Sequence, residues 1–513
     1  MTSRPDIVLL VLDTQRLDRL SCYGNRVETT PNLDAFALEA TLFRHAMSTA
    51  QWTVPSHSSM FTGFYPSYHT MYHASSVLPS TLTTLAERLN SGGYFTAAYC
   101  NNPLVGIVNN GLRRGFYSFL NYGGLMTSKP NQASVDRRLF DRYRQQFKRL
   151  LAFVLTATQD AFARSDTLLD FSFTPWMVPL WQTALHFKGN TVKALDDAAK
   201  LLIDRNGLPD NQPVFSFINL MGTHMPYNPP RKFIEQFSPL VLQNKTARRY
   251  IRHFNSDVFG WLAPLTRDLD DEKKVVLDGM YNAEVACQDD QVGIFLERLR
   301  QSGRLDRTLL IMCADHGEHL GEKQLVGHNI SLFNELVHVP LVIRDPEGNL
   351  PRGGIVEQIV SLRRVFHTVL AAARLANNPE EALSLAQNSS ADPDQGVVFA
   401  EGITAMNALK LLQRRRPALV AEKALDQPRM AIWKDQFKLI QTGESHFELY
   451  NIFDDQDEQT NLVTSLPGST TSLESLLRSF VDHTGSAVPE AIDDEYDNDP
   501  EIYLRLRDLG YVE

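Results

Sequence analysis

Ile7-Val8-Leu9-Leu10-Val11-Leu12-Asp13 is an unbroken apolar run that stops on a carboxylate. A short run without polar alternation reads as a strand covered on both faces, hence a parallel strand inside an α/β sheet. Two further runs repeat the pattern. Val214 through Met221 leads to His224, and Leu309-Leu310-Ile311-Met312-Cys313-Ala314 stops at Asp315-His316. In such sheets the ligand crevice opens beyond the carboxyl ends of the strands. Asp13, His224, Asp315 and His316 are therefore expected to converge on one site, which points to an enzyme before any likeness is considered.

Working outward, strand and helix signals alternate. Thr30 stands as an N-cap and Pro31 as a first helical residue for a helix through about Ala40. Thr81 to Leu89 reads as a helix stopped by Gly92-Gly93, and Tyr94–Cys100 as the next strand. Residues 115–205 are less regular and aromatic-rich; they are read as a helical insertion, either a lid or an amphipathic patch docked on the main domain. Lys273 to Arg300 is a long helical pattern, Leu341-Val342-Ile343 a strand, and Val360–Leu375 a helix. Residues 376–395 have linker composition. Beyond them, short strands at Gly396–Glu401, Met430–Lys434, Lys438–Gln441 and His446–Tyr450 suggest a small antiparallel sheet, and Pro500–Leu509 a closing helix. The domain plan is thus an α/β domain over 1–375, a linker over 376–395 and a smaller unit over 396–513.

At 513 residues the chain exceeds the ~250–300 at which one core stops growing, in keeping with that plan. A net charge of −10 with interspersed signs leaves no nucleic-acid footprint. No run reaches the ~18 apolar residues of a membrane span. Met1 to Asp6 enters the first strand at once, so no secretory signal is expected. Cys22, Cys100, Cys287 and Cys313 are scattered without metal spacing, as in a reduced, cytoplasmic protein.

Gln51-Trp-Thr-Val-Pro-Ser-His-Ser-Ser-Met-Phe-Thr-Gly63 supplies the nucleophile candidate. Thr53 before Val54-Pro55 places a hydroxyl at a helix N-terminus, where free N–H groups suit an oxyanion. An ordinary capping threonine would look the same; its company with Asp13 and Asp315-His316 favours the functional role.

Taken together, Ile7–Asp13 with Thr14-Gln-Arg-Leu-Asp18, Thr30-Pro-Asn-Leu-Asp34, Thr53-Val-Pro-Ser-His57 with Phe61-Thr-Gly63, and His224-Met-Pro-Tyr227 form one series. Asp315-His-Gly-Glu-His-Leu-Gly-Glu322, Gly327-His328, Glu448-Leu-Tyr-Asn451 and Leu509-Gly-Tyr-Val-Glu513 continue it. In this order they resemble the sulfatase-type family of the alkaline phosphatase superfamily. The resemblance implies an α/β/α sandwich with a large, mostly parallel sheet and a small C-terminal antiparallel subdomain. It also implies one divalent cation (Mn, Mg, Ca or Zn) on Asp13, Thr53, Asp315 and His316.

The departures matter as much. Sulfatases make formylglycine from Cys or Ser in Cys/Ser-x-Pro-x-Arg; here Thr53 cannot be converted, so no formylglycine is expected, and His57 replaces the arginine. Asn101-Asn102-Pro103 stands where a Gly-Lys-x-His segment would follow a strand, Thr14 replaces a second acidic residue, and His328 replaces a lysine. What remains suits hydrolysis of a phosphodiester or phosphonate monoester through a phospho-threonine intermediate. His57 would contact substrate, while His224 and His328 protonate the leaving oxygen or steady the phosphoryl group. The expected partner is a small-molecule or lipid-like anionic ester. Sulfate ester hydrolysis, transfer to a hydroxyl acceptor and a catalytically silent metal-binding homologue are the alternatives; a membrane-bound phosphoglycerol or phosphoethanolamine transferase is disfavoured for want of membrane helices. Metal identity and oligomeric state stay open.

Overall fold

The computed structural model describes residues 4–123, 188–387 and 392–484. Its strands are β1 (Asp6–Leu12), β2 (Thr41–Met47), β3 (Phe95–Cys100), β4 (Ser118–Asn121), β5 (Val214–Leu220), β6 (Thr308–Cys313), β7 (His319–Leu320), β8 (Val326–Gly327), β9 (His338–Arg344) and β10 (Ile355–Ser361), followed by β11 (Val398–Gly402), β12 (Arg429–Lys434), β13 (Phe437–Thr442) and β14 (His446–Asn451). The helices used below are α1 (Pro31–Ala37), α2 (Thr53–Thr62), α3 (Leu85–Ser91), α4 (Thr191–Asp204), α5 (Lys245–Ser256), α6 (Val258–Leu262), α7 (Asp271–Gln301), α8 (Arg364–Ala372), α9 (Met406–Arg415) and α10 (Pro467–Thr484).

Eight strands form one sheet in the order β10-β2-β9-β6-β1-β5-β3-β4. Only β9 runs against its neighbours, pairing antiparallel with β2 and β6. The apolar run of β1 divides by its two-residue period. Ile7, Leu9 and Val11 enter the core beneath α2, α3 and α8, while Val8, Leu10 and Leu12 enter the core beneath α1, α4 and α7. Both faces are covered, which is why the run carries no polar alternation. The result is the expected α/β/α sandwich.

β11 to β14 make a separate antiparallel sheet in sequence order. One face packs on Met47, Leu336, Val337 and Ile359 of the main unit, and the other on Leu473 and Leu477 of α10.

Several expectations shift in detail. β4 and α4 lie at the two ends of the stretch read as an insertion, and both build the main sandwich: β4 pairs with β3, and Leu195 and Leu202 enter its core. Residues 124–187, between them, lie outside the described residues, as does the expected helix Pro500–Leu509. The described parts of the expected linker, 376–387 and 392–395, pack on the main unit. Leu385 is buried in the main core, and Asp392 and Asp394 accept from Arg364 and Arg363. The helix expected from Thr81 starts at Leu85, where Thr84 caps α3 and Glu87 closes a capping box.

Candidate active site

β6, β1, β5 and β3 are adjacent and parallel, so their carboxyl ends lie side by side. Asp13 follows β1, Asp315-His316 follows β6, His224 follows β5 and Asn102 follows β3. One ligand atom from each of Asp13, Asp315 and His316 lies within 4.8 Å of the others, and all three side chains are buried. Asp13 Oδ2 accepts from Asn102 Nδ2 at 2.7 Å and Asn219 Nδ2 at 3.2 Å, while Oδ1 makes no hydrogen bond. Asp315 Oδ1 accepts from the His316 and Thr14 amides. Its Oδ2 makes no hydrogen bond although His316 Nε2 is 3.4 Å away.

Buried carboxylate oxygens without donors are costly unless a cation faces them. Burial pushes the Asp13 carboxyl up to about 7, with Asp315 adding to the rise and His316, Asn102 and Asn219 opposing it. Burial likewise pushes Asp315 up to about 8 against its amide donors. His316 Nδ1 donates to Gly317 O at 2.9 Å, which turns the lone pair of Nε2 toward the carboxylates. Two donor-poor carboxylates and an oriented imidazole fit a divalent cation.

Thr53 is the first residue of α2 rather than its cap. Trp52 takes the cap position with extended backbone, and Gly63, in the left-handed region at φ 79°, ends the helix. Thr53 Oγ1 lies 3.2 Å from His316 Nε2 and 3.4 Å from Asn102 Nδ2. Ser56 of α2 and Ser48 both donate to Asp315 O, which locks the nucleophile helix onto the carboxylate loop. Thr14 holds φ 60°, a left-handed conformation that costs a β-branched residue about 1–3 kcal/mol. That turn sends its amide to Asp315 and its hydroxyl toward Thr223, away from the place of a ligand.

His57 departs from its expected role. Its side chain has 0% exposure; Nδ1 donates to Thr53 O at 2.9 Å and Nε2 accepts from Asn219 at 3.3 Å. Neither ring nitrogen is left for substrate. Burial pushes His57 down to about 3, so it is neutral, and it braces Thr53 and Asn219 from beneath.

His224 and His328 meet edge to face with ring centroids 5.0 Å apart, and His328 lies 4.5 Å from the His316 ring. His224 Nδ1 donates to Met225 O at 2.6 Å and His328 Nδ1 to Glu318 Oε1 at 2.7 Å. Both rings thus turn their Nε2 edges away from those acceptors. Burial pushes His224 down to about 3 and His328 well below the usual histidine range. Glu318 and His319 are buried; His319 Nε2 pairs with Ser331 Oγ at 2.6 Å. Arg16 pairs with Asp18 and also donates to Glu318 O and Glu322.

Asn102 and Asn219 were missed as site residues. Their signal is a polar residue at the carboxyl end of a buried strand: Asn219 is the sixth residue of β5 and Asn102 follows β3.

The profile of the family described as Sulfatase matches residues 5–375. The chain belongs to the sulfatase family. It is 24% identical to an arylsulfatase of Clostridium perfringens over 388 residues, 73% of this chain and 76% of that one. Among solved structures, the phosphonate monoester hydrolase of Agrobacterium radiobacter superposes with a TM-score of 0.63 at 20% identity, covering 94% of this chain and 96% of its own. That of Silicibacter pomeroyi gives 0.59 at 17% identity, with 94% and 96% covered. Sulfatase-family members are hydrolases that use a divalent metal ion, and Asp13, Asp315 and His316 form a group that could hold one. No helix among the described residues is long and apolar enough to cross a membrane.

Proposed function

We propose that this sulfatase-family member hydrolyses singly charged phosphate-type esters, a phosphodiester or a phosphonate monoester, with Thr53 as nucleophile. The observation that carries the reading is Thr53 Oγ1 at 3.2 Å from His316 Nε2, in a group where ligand atoms of Asp13, Asp315 and His316 lie within 4.8 Å of one another. A threonine there cannot become formylglycine, so the sulfatase aldehyde route is closed. A divalent cation held by Asp13, Asp315 and His316, with Thr53 as a further ligand, would lower the pKa of the hydroxyl and polarise a phosphoryl oxygen.

Thr53 Oγ attacks phosphorus in line, its proton passing to the His224/His328 pair, and the Thr53 O–P bond forms as the ester O–P bond breaks. The histidine that takes up this proton on Nε2, either His224 or His328, hands it on to the departing oxygen; in each ring Nδ1 already donates, to Met225 O and Glu318 Oε1. Asn102 Nδ2 steadies both Asp13 and the nucleophile oxygen. His57 keeps Thr53 in place through its carbonyl. Water then attacks phosphorus, and as the Thr53 O–P bond breaks the water's proton passes through the histidine pair to Thr53 Oγ. The few added cations near the site favour a mono-anionic ester over a dianionic monoester. Four unpaired cysteines, three of them buried, support a cytoplasmic setting.

The named relative, an arylsulfatase, favours a second reading, sulfate ester hydrolysis. The test is turnover of aryl phosphodiester, phosphonate monoester, phosphomonoester and sulfate esters with Mn²⁺, against Thr53→Ala. Phosphodiester or phosphonate turnover lost in the variant supports the reading. Dominant sulfate turnover overturns it.

A further inference from the structure

Lys245-Thr-Ala-Arg-Arg-Tyr-Ile-Arg-His253 and Lys410-Leu-Leu-Gln-Arg-Arg-Arg416 contain no acidic residue, in a chain whose net charge is −10. On α5 the charges fall at Lys245, Arg248, Arg249 and Arg252, a spacing that puts all four on one helical face. All four are exposed, and the opposite face, Ala247, Ile251 and Phe254, is buried. Like charges so spaced oppose a helix by about 0.2–0.5 kcal/mol per pair. Arg248 has a structural task, donating to the carbonyls of Val241 and Leu242. Arg249 and Arg252 make no hydrogen bond or ion pair among the described residues.

α6 joins this stripe to a second one and to the active site. The guanidinium groups of Arg415 and Arg416 lie 5.1 and 6.0 Å over the Phe259 ring of α6. A side chain on Gly327, the residue before His328, would stand 2.6 Å from the Trp261 carbonyl of α6. Leu262 shares an apolar cluster with Trp52 and Val54, on either side of Thr53. α6, which joins the two basic segments, thus packs against the loop of His328 and in the apolar cluster that holds the residues flanking Thr53.

We propose that the saddle formed by α5 and the carboxyl end of α9 holds a hydrophilic polyanionic chain, a phosphodiester-linked polymer of which the ester cleaved at Thr53 is one unit. The identity of the cleaved unit rests on the phosphoryl-transfer reading; binding by the saddle does not. Arginine forks match phosphate oxygens in bidentate fashion. A bilayer surface fits poorly, because a helix that docks on lipid needs exposed large apolar side chains. Those among the described residues, such as Leu38, Phe64 and Tyr68, lie elsewhere than α5, α6 and α9. The same lack of exposed aromatics disfavours a strand whose bases must stack.

The test is fluorescence anisotropy of the full chain, with Mn²⁺, against an end-labelled abasic deoxyribose-phosphate oligomer, across a salt series. Anionic vesicles and neutral dextran are run in parallel. Wild type is expected to bind the oligomer, and Arg249→Glu/Arg252→Glu to weaken binding about tenfold or more and flatten the log–log salt slope by about 1.4, at ~0.7 per lost phosphate contact. Small aryl diester turnover and melting temperature should match wild type in that variant. No oligomer binding, equal binding by the variant, or tighter binding to vesicles than to oligomer each overturns the proposal. Oligomer binding by a protein that hydrolyses no phosphate ester would retain the saddle and reject the phosphoryl-transfer reading instead.

Discussion

Replacing Asp13 by asparagine should remove a pH dependence of stability that the metal-free wild type carries. The Asp13 carboxyl is raised from 3.8 to about 7, chiefly by burial. Because the folded value exceeds the unfolded one, its contribution is fully present below about pH 4 and is lost as pH rises toward 7. At 1.36 kcal/mol per pH unit the whole loss is on the order of 4 kcal/mol, of which about 3 falls between pH 5 and pH 8. The neutral amide of the Asp13→Asn variant carries no such cost. With an unfolding entropy of ~2.1 cal/mol/K per residue, wild type should lose roughly 3 °C of melting temperature relative to the variant over that range. The assay is thermal unfolding in EDTA at several pH values, repeated with Mn²⁺. Added cation should stabilise wild type most at the alkaline end and the variant little. A metal-free difference that does not change with pH, or equal stabilisation of both proteins by Mn²⁺, would refute the assignment of Asp13 as a buried ligand.

Asn102→Ala removes the 2.7 Å donor to Asp13; supporting contacts of this kind are worth about 10–100-fold in metal affinity, checked by titration with a metal-competing dye. His57→Arg would put a longer cation into a side-chain site of 0% exposure; lower stability without any gain of sulfate turnover is expected, read by melting and by sulfate ester assay. Lys438 and Glu458 form a pair with both side chains 0% exposed at 2.5 Å. Lys438→Met leaves the acid unpaired and should cost about 3–5 kcal/mol in denaturant unfolding.

The central strands were legible because each is short, apolar throughout and closed by a polar residue, which a buried parallel strand requires. β2 was not, since Arg44 and His45 interrupt Thr41–Met47. The exposed half of β10, Ile355 to Gln358, hid an edge strand in the same way. Asp13, Asp315 and His316 could be placed together because strand ends meet in parallel sheets. The task of His57 could not be read, since a polar residue in a first helical turn usually faces solvent. Only the register of α2 over Asn219 shows it turned inward. Asn102 stood in plain view as a lost cation, yet its amide is what joins Asp13 to Thr53.

The most direct measurement is the mass of the protein after brief reaction with an aryl phosphodiester and Mn²⁺, quenched in acid and mapped by peptide. The account predicts a phosphoryl adduct on the peptide bearing Thr53, absent in Thr53→Ala together with turnover. Turnover that persists in Thr53→Ala, or an adduct on another residue, would contradict it.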